Sequence, residues 1–216
     1  MAYNNSGNSI QRIPPVVLNL LIINILVWLA QLALDKSTEH PFWLTEKIAL
    51  FSFNTGEFKP YQLVTYMFAH SSYDIAGGVV FSHILFNMYA LWMFGTALER
   101  VWGPKKFLIF YLICGLAAGV TQLFLSDGIA VGASGAIMGL LAGFGYLFPN
   151  TEFFIIPVPF PIKAKYMVAI YAAIDLFGGF HPGGADNVAH YAHLGGLVMG
   201  FILVIIWNKT NKKTFY

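Results

Sequence analysis

Residues 132–135 read Gly132-Ala133-Ser134-Gly135, and the apolar run Ala136-Ile137-Met138-Gly139-Leu140-Leu141-Ala142-Gly143-Phe144-Gly145-Tyr146-Leu147-Phe148 follows them. A helix from Ser134 to Phe148 rises about 1.5 Å per residue and so runs roughly 22 Å. The hydrocarbon core of a bilayer is about 30 Å thick. If the far end of this helix meets one membrane surface near Pro149-Asn150, Ser134 lies below the opposite surface. A hydroxyl there, at a helix N-terminus in a glycine turn, either caps the helix or does chemistry, and the rest of the chain must decide between them.

The surroundings of this stretch are membrane-like throughout. The chain is 57% hydrophobic and 10% charged, against about 25% charged in soluble domains. Six apolar segments qualify as spans: 15–34, 81–98, 107–126, 134–148, 164–180 and 188–207. Turn signals separate them at Gly103-Pro104, Asp127-Gly128, Pro157 to Pro161 and His181-Pro182-Gly183-Gly184. The runs are continuous rather than alternating, which excludes a transmembrane β-barrel, and the lack of an internal repeat weighs against an inverted-repeat transporter. The fold class is therefore all-α, a polytopic six-helix membrane bundle with a short fourth helix. The net charge of +2 and the absence of a basic run exclude nucleic acid as a partner. The single Cys114 lies in an apolar segment and reads as a small packing residue.

The polar start, Met1 to Ile13, has no charged leader or cleavage site, so the first apolar segment reads as a retained span. Residues 1–14 are then a short tail, 15–207 the membrane domain and 208–216 a basic tail. With the N-terminus in the cytoplasm, nine of the twelve basic residues fall inside and only Lys36, Lys47 and Lys59 outside. The positive-inside rule thus predicts both termini cytoplasmic and Ser134 toward the outer side. The long connection 35–80 is external and carries Phe42, Trp43, Phe51, Phe53, Phe58, Tyr61, Tyr66 and Phe68. That content fits a folded loop in the interface or a general aromatic belt.

Polar groups within spans are costly and so are functional candidates. His83 and Asn87 lie four apart on one face of span 2, and His190 and His193 three apart on one face of span 6. With Ser134 they place polar groups from three segments at a similar depth. A serine hydroxyl needs a base to become a nucleophile, and His193 is the candidate. Unpaired N–H groups at the start of span 4, with Asn87 and His83, would hold an oxyanion. Each of these residues also has an ordinary structural reading as a cap or an interhelical hydrogen bond. The joint pattern favours a serine hydrolase. No Asp or Glu stands in the apolar part of a matching span to orient His193, which predicts a dyad rather than a triad. Asp175, near the outer end of span 5, reads as a solvated or interhelical carboxylate, with a proton relay as its alternative. Gly135, Gly139 and Gly143 on span 4, and Gly196 and Gly200 on span 6, repeat every four residues and predict close approach of the two helices.

Four strings, in order, make the chain recognisable: His83-Ile84-Leu85-Phe86-Asn87; Phe94-Gly95-Thr96-Ala97-Leu98-Glu99 with Trp102-Gly103; Gly132-Ala133-Ser134-Gly135-Ala136; and Ala192-His193-Leu194-Gly195-Gly196 with Gly200. Over about residues 61–207 the chain resembles the rhomboid intramembrane serine proteases in their compact six-span bacterial form. The resemblance implies a nucleophile at Ser134, a base at His193, oxyanion stabilisers at Asn87, His83 and the Ser134 backbone, and a structural carboxylate at Glu99. It implies transmembrane protein substrates taken laterally from the lipid bilayer of a bacterial inner membrane and cut near their outer ends. It implies no cofactor and no metal, and it sets no oligomeric state. Span 5 and its cap, about residues 178–187, would be the gate, with Phe177 and Phe180 as gate side chains. Departures are Met138 where the family often has an aromatic packing on the base, Tyr61-Gln62 where it often has Trp-Arg, a longer stretch 72–82, and the extra His190, which would tune the site or compete as base. The alternative is a proteolytically inactive rhomboid-like protein that binds or escorts transmembrane helices; a binder has no need of Ser134, His193, Asn87 and His83 together.

Overall fold

The computed structural model describes residues 12–36, 39–74, 76–154, 159–180 and 188–210. Helix α1 covers Pro15–Leu34, with Pro at its first position, where the missing N–H costs nothing. Its next two amides find an acceptor far along the chain: Glu99 Oε1 accepts from Val16 N at 3.0 Å and Oε2 from Val17 N at 2.8 Å. A buried carboxylate thus satisfies the orphan donors and the positive end of the α1 dipole. The family resemblance implied a structural carboxylate of the loop after span 2; the structure instead turns Glu99 to the start of α1, where it ties the first span to the second.

The connection after α1 is folded, one of the two readings its aromatic content left open. It holds α2 (Trp43–Ile48), a 3₁₀ turn at Phe53–Thr55, α3 (Gln62–Thr65) and a second 3₁₀ turn at Tyr66–Phe68. Asp35 organises it: Oδ1 accepts from Leu44 N and Thr45 N at 2.7 and 3.0 Å, and Oδ2 from the hydroxyls of Thr45 and Ser72 at 2.6 and 3.1 Å. Span 2 is built from α4 (Ser82–Ala90), a π turn at Leu91–Gly95 and α5 (Thr96–Trp102). Gly103, at φ +76°, makes the corner that Pro104 then converts into α6 (Pro104–Leu125).

Helix α7 (Ser134–Leu147) is the centre of the molecule, flanked by α6, by α8 (Ala164–Phe180) and by α9 (His190–Thr210). A two-residue antiparallel pair, Glu152–Phe153 with Ile162–Lys163, closes the turn between α7 and α8. The predicted glycine seam is present at Gly135 and Gly139, whereas Gly143 faces Phe110 and Trp102 instead of α9. A Cβ at Gly196 would run into the Gly135 carbonyl, and one at Gly200 would lie 2.5 Å from the Gly139 carbonyl oxygen. On its other side Gly139 faces Cys114 Sγ, so the lone cysteine is a packing residue. Among the described residues, α1, α6 and residues 190–209 of α9 are long and apolar enough to cross a membrane, while α7 is a shorter apolar helix.

Candidate active site

Ser134 is the first residue of α7, not the residue before it, and no side chain caps this helix. The first bond of the helix runs from Ile137 N to Ala133 O, so the earlier amides have no intrahelical acceptor. The hydroxyl turns instead to α9: Ser134 Oγ and His193 Nε2 are 2.8 Å apart. The cap reading of Ser134 is thus displaced by a serine–histidine pair.

Two features hold this turn. Gly132 N donates to Tyr66 O at 2.9 Å, and residues Leu50 and Ala130 exchange backbone bonds at 2.9 Å, so the 35–80 connection forms the bed beneath the serine. Gly132 itself has φ +121°, a region L side chains avoid. A Cβ there would sit 3.0 Å from His83 Nε2 and 3.6 Å from Ser134 Oγ, so His83 and Ser134 flank one small cradle that glycine keeps open.

The hydrogen-bond partners assign the histidine tautomers. The Ser71 amide donates to His83 Nδ1 at 3.2 Å, which leaves the His83 proton on Nε2, the nitrogen beside the cradle. Residues 70–73 are in turn fastened to α1: His70 N donates to Gln31 Oε1 at 2.9 Å, Tyr73 OH to Leu32 O at 2.7 Å, and Trp28 Nε1 to Ser71 O at 3.4 Å. His70 lies fully buried with its ring centroid 5.2 Å from that of His83. Burial, then the His83 ring, holds its imidazole down to about 3, against an upward pull from the Phe68 carbonyl that accepts from Nδ1.

Asn87 is buried, and its amide Nδ2 donates to the His83 carbonyl one turn back at 2.8 Å. Among the described residues no hydrogen bond joins it to Ser134 or His193, and its Oδ1 is without a partner. One amide proton remains for an incoming group. Met138 is half-buried and packs against the core. Phe177 and Phe180 are 67% and 69% exposed on α8. Of the expected gate, residues 181–187 lie outside the described residues.

One expectation is overturned. An acidic residue does reach the base: Asp175 Oδ1 lies 3.0 Å from His193 Nδ1, and the same oxygen lies 2.8 Å from His190 Nδ1. Asp175 is 3% exposed, so it is interhelical and not solvated. With Nδ1–H turned to a carboxylate, the His193 Nε2 lone pair faces the serine hydroxyl, the tautomer a general base requires.

The family model of the Rhomboid domain matches residues 57–209, most of the chain. The chain belongs to the rhomboid family. It is 34% identical over 121 residues to "Rhomboid protease GluP" of Bacillus subtilis (strain 168), covering 56% of this chain and 22% of that protein. It is 38% identical over 130 residues to "RHOMBOID-like protein 4" of Arabidopsis thaliana, covering 59% and 30%. Against "Rhomboid protease GlpG" of Haemophilus influenzae (strain ATCC 51907 / DSM 11121 / KW20 / Rd) it is 29% identical over 136 residues, covering 61% and 66%. The chain spans between about a fifth and two-fifths of the length of the first three curated relatives it matches. Family and apolar helices together make this rhomboid an integral membrane protein.

Two contributors escaped the sequence reading of this rhomboid. The Ser71 amide has no sequence signature, since every residue but proline carries one. Asp175 did have one: it lies near the C-terminal end of α8 and His193 near the N-terminal end of α9, the next helix in the chain.

Proposed function

We propose that this rhomboid is an intramembrane serine endopeptidase that hydrolyses peptide bonds in or near the transmembrane segments of membrane proteins. The observation that carries the reading is the 2.8 Å contact between Ser134 Oγ and His193 Nε2, at a helix N-terminus of a membrane-embedded bundle. Two of the matched relatives carry the name rhomboid protease. A bacterial inner membrane with both termini cytoplasmic is part of the same proposal and rests on the distribution of basic residues.

In this reading His193 Nε2 takes the hydroxyl proton as Ser134 Oγ bonds to the scissile carbonyl carbon. Negative charge gathers on the carbonyl oxygen. The Ser134 amide, His83 Nε2–H and the free Asn87 amide proton are the donors offered to it, and loss of one such donor costs about 10²–10³ in rate. The proton then passes from His193 to the leaving amine as the C–N bond breaks. Water, deprotonated by the same imidazole, releases the acyl group from Ser134. Phe177 and Phe180 would line the side through which a substrate helix enters.

The test is cleavage of a transmembrane reporter reconstituted with the protein in liposomes. Wild type is expected to cut it, Ser134→Ala to be silent, and Asn87→Ala to retain about 1% of the rate or less. Equal cleavage by wild type and Ser134→Ala would remove Ser134 as the nucleophile.

A further inference from the structure

The 17-residue helix α8 has an exposed apolar face, with Ile174, Leu176, Phe177 and Phe180 all more than 45% exposed. Among them Asp175 is turned inward and buried. A buried carboxylate is costly unless donors meet it. Here both donors meet a single oxygen: Oδ1 accepts from His190 at 2.8 Å and His193 at 3.0 Å, while Oδ2 has no hydrogen-bond partner among the described residues. A carboxylate placed only to join two helices has no need to converge on the one imidazole that also contacts Ser134.

The same turn of α8 is fixed to α9 at two further points. The ring of His190 occupies the space where a side chain on residue 178 would stand, which Gly178 leaves open. Tyr191 OH donates to Gly179 O at 2.7 Å. The turn of α8 that follows Asp175 is therefore fastened to the first turn of α9, just ahead of His193.

We propose that Asp175 is the positioning residue for His193, so that the site works as a Ser134–His193–Asp175 relay in which His190 anchors the carboxylate. The proposal rests on the serine endopeptidase reading and goes beyond its dyad. The Nδ1–H···Oδ1 bond stops the imidazole rotating and keeps the Nε2 lone pair on the hydroxyl. When the proton moves from Ser134 Oγ to Nε2, the carboxylate faces the new imidazolium and stays unprotonated; the proton leaves on the amine product. His193, not His190, is the histidine whose Nε2 contacts Ser134 Oγ, while His190 Nδ1 meets the carboxylate, so His190 takes the part of an anchor and not of a competing base. Since Asp175 sits on α8, displacement of that helix to admit a substrate would also loosen the base until the helix returned.

The experiment compares wild type, Asp175→Ala, Asp175→Asn, His190→Ala and Ser134→Ala on one transmembrane reporter in liposomes. The concentration of competent enzyme is set by end-point fluorophosphonate labelling. Asp175→Ala is expected to lower kcat per labelled site by about 10²-fold, the scale of a well-placed general base, with KM unchanged. Asp175→Asn keeps the side-chain shape and an oxygen acceptor for Nδ1–H, so it is expected to recover part of that loss and to cover the case in which the alanine variant does not fold. His190→Ala is expected to lower kcat less than Asp175→Ala. An unchanged kcat per labelled site in both Asp175 variants, with only less competent protein, overturns the proposal and leaves Asp175 as a helix tie. Loss of activity in His190→Ala greater than in Asp175→Ala overturns it in favour of His190 acting directly. Wild type that neither cleaves nor labels, or Ser134→Ala that still cleaves, is a separate result that removes the protease reading itself.

Discussion

Helices α7 and α8 are both short, apolar and marked by one polar residue at the site, yet they are held in opposite ways. Of the fourteen residues of α7, ten are buried, against five of seventeen in α8. The first is clamped between α6 and α9 through glycine contacts; the second shows much of its side to the surroundings and touches the bundle mainly through α7 and α9. Ser134 is thus on the most tightly packed helix, and the carboxylate that reaches His193 on one of the loosest.

This contrast is open to attack by substitution, and the largest effect belongs to the seam. Gly196→Val would drive a branched side chain into the Gly135 carbonyl; backbone cannot yield as a side-chain tip can, and the expected outcome is no folded protein by size-exclusion in detergent. A variant with wild-type thermal stability would deny the seam its role.

A smaller effect is expected in the wall behind His83. The folded-state value of His70, about 3, lies below its ordinary 6.5. As pH falls through 6.5 the unfolded chain takes this proton first, so the contribution of His70 is intact above that pH and is lost progressively toward about 3. The slope is at most about 1.4 kcal/mol per pH unit. Thermal melts of wild type and His70→Gln across pH 7 to 4 are expected to show a shallower decline in the variant; parallel declines would mean His70 carries none of it.

The smallest effect is assigned to α8. Phe177→Ala removes a side chain that is 67% exposed and is expected to alter stability within about 0.5 kcal/mol. A strongly lowered melting temperature would show α8 to be packed as firmly as α7 and would dissolve the comparison.

The sequence made the apolar helices, the glycine seam and the Ser134–His193 pair readable, because each rests on a local pattern: hydropathy over a span, four-residue spacing, a polar group where lipid forbids one without cause. His83 was readable for the same reason. What it left hidden depends on chain segments meeting across long separations. Glu99 caps α1 from 82 residues away, Ser71 sets a tautomer with a backbone amide, and Asp175 meets His193 only because α8 packs against α9.

The most direct measurement is peptide mapping by mass spectrometry after fluorophosphonate treatment of the purified protein in liposomes, for wild type and His193→Ala. The account predicts a covalent adduct on Ser134 in wild type and almost none in the variant, since the hydroxyl is reactive only while Nε2 can take its proton. An adduct on Ser134 of equal yield in both, or on another residue in wild type, would contradict it.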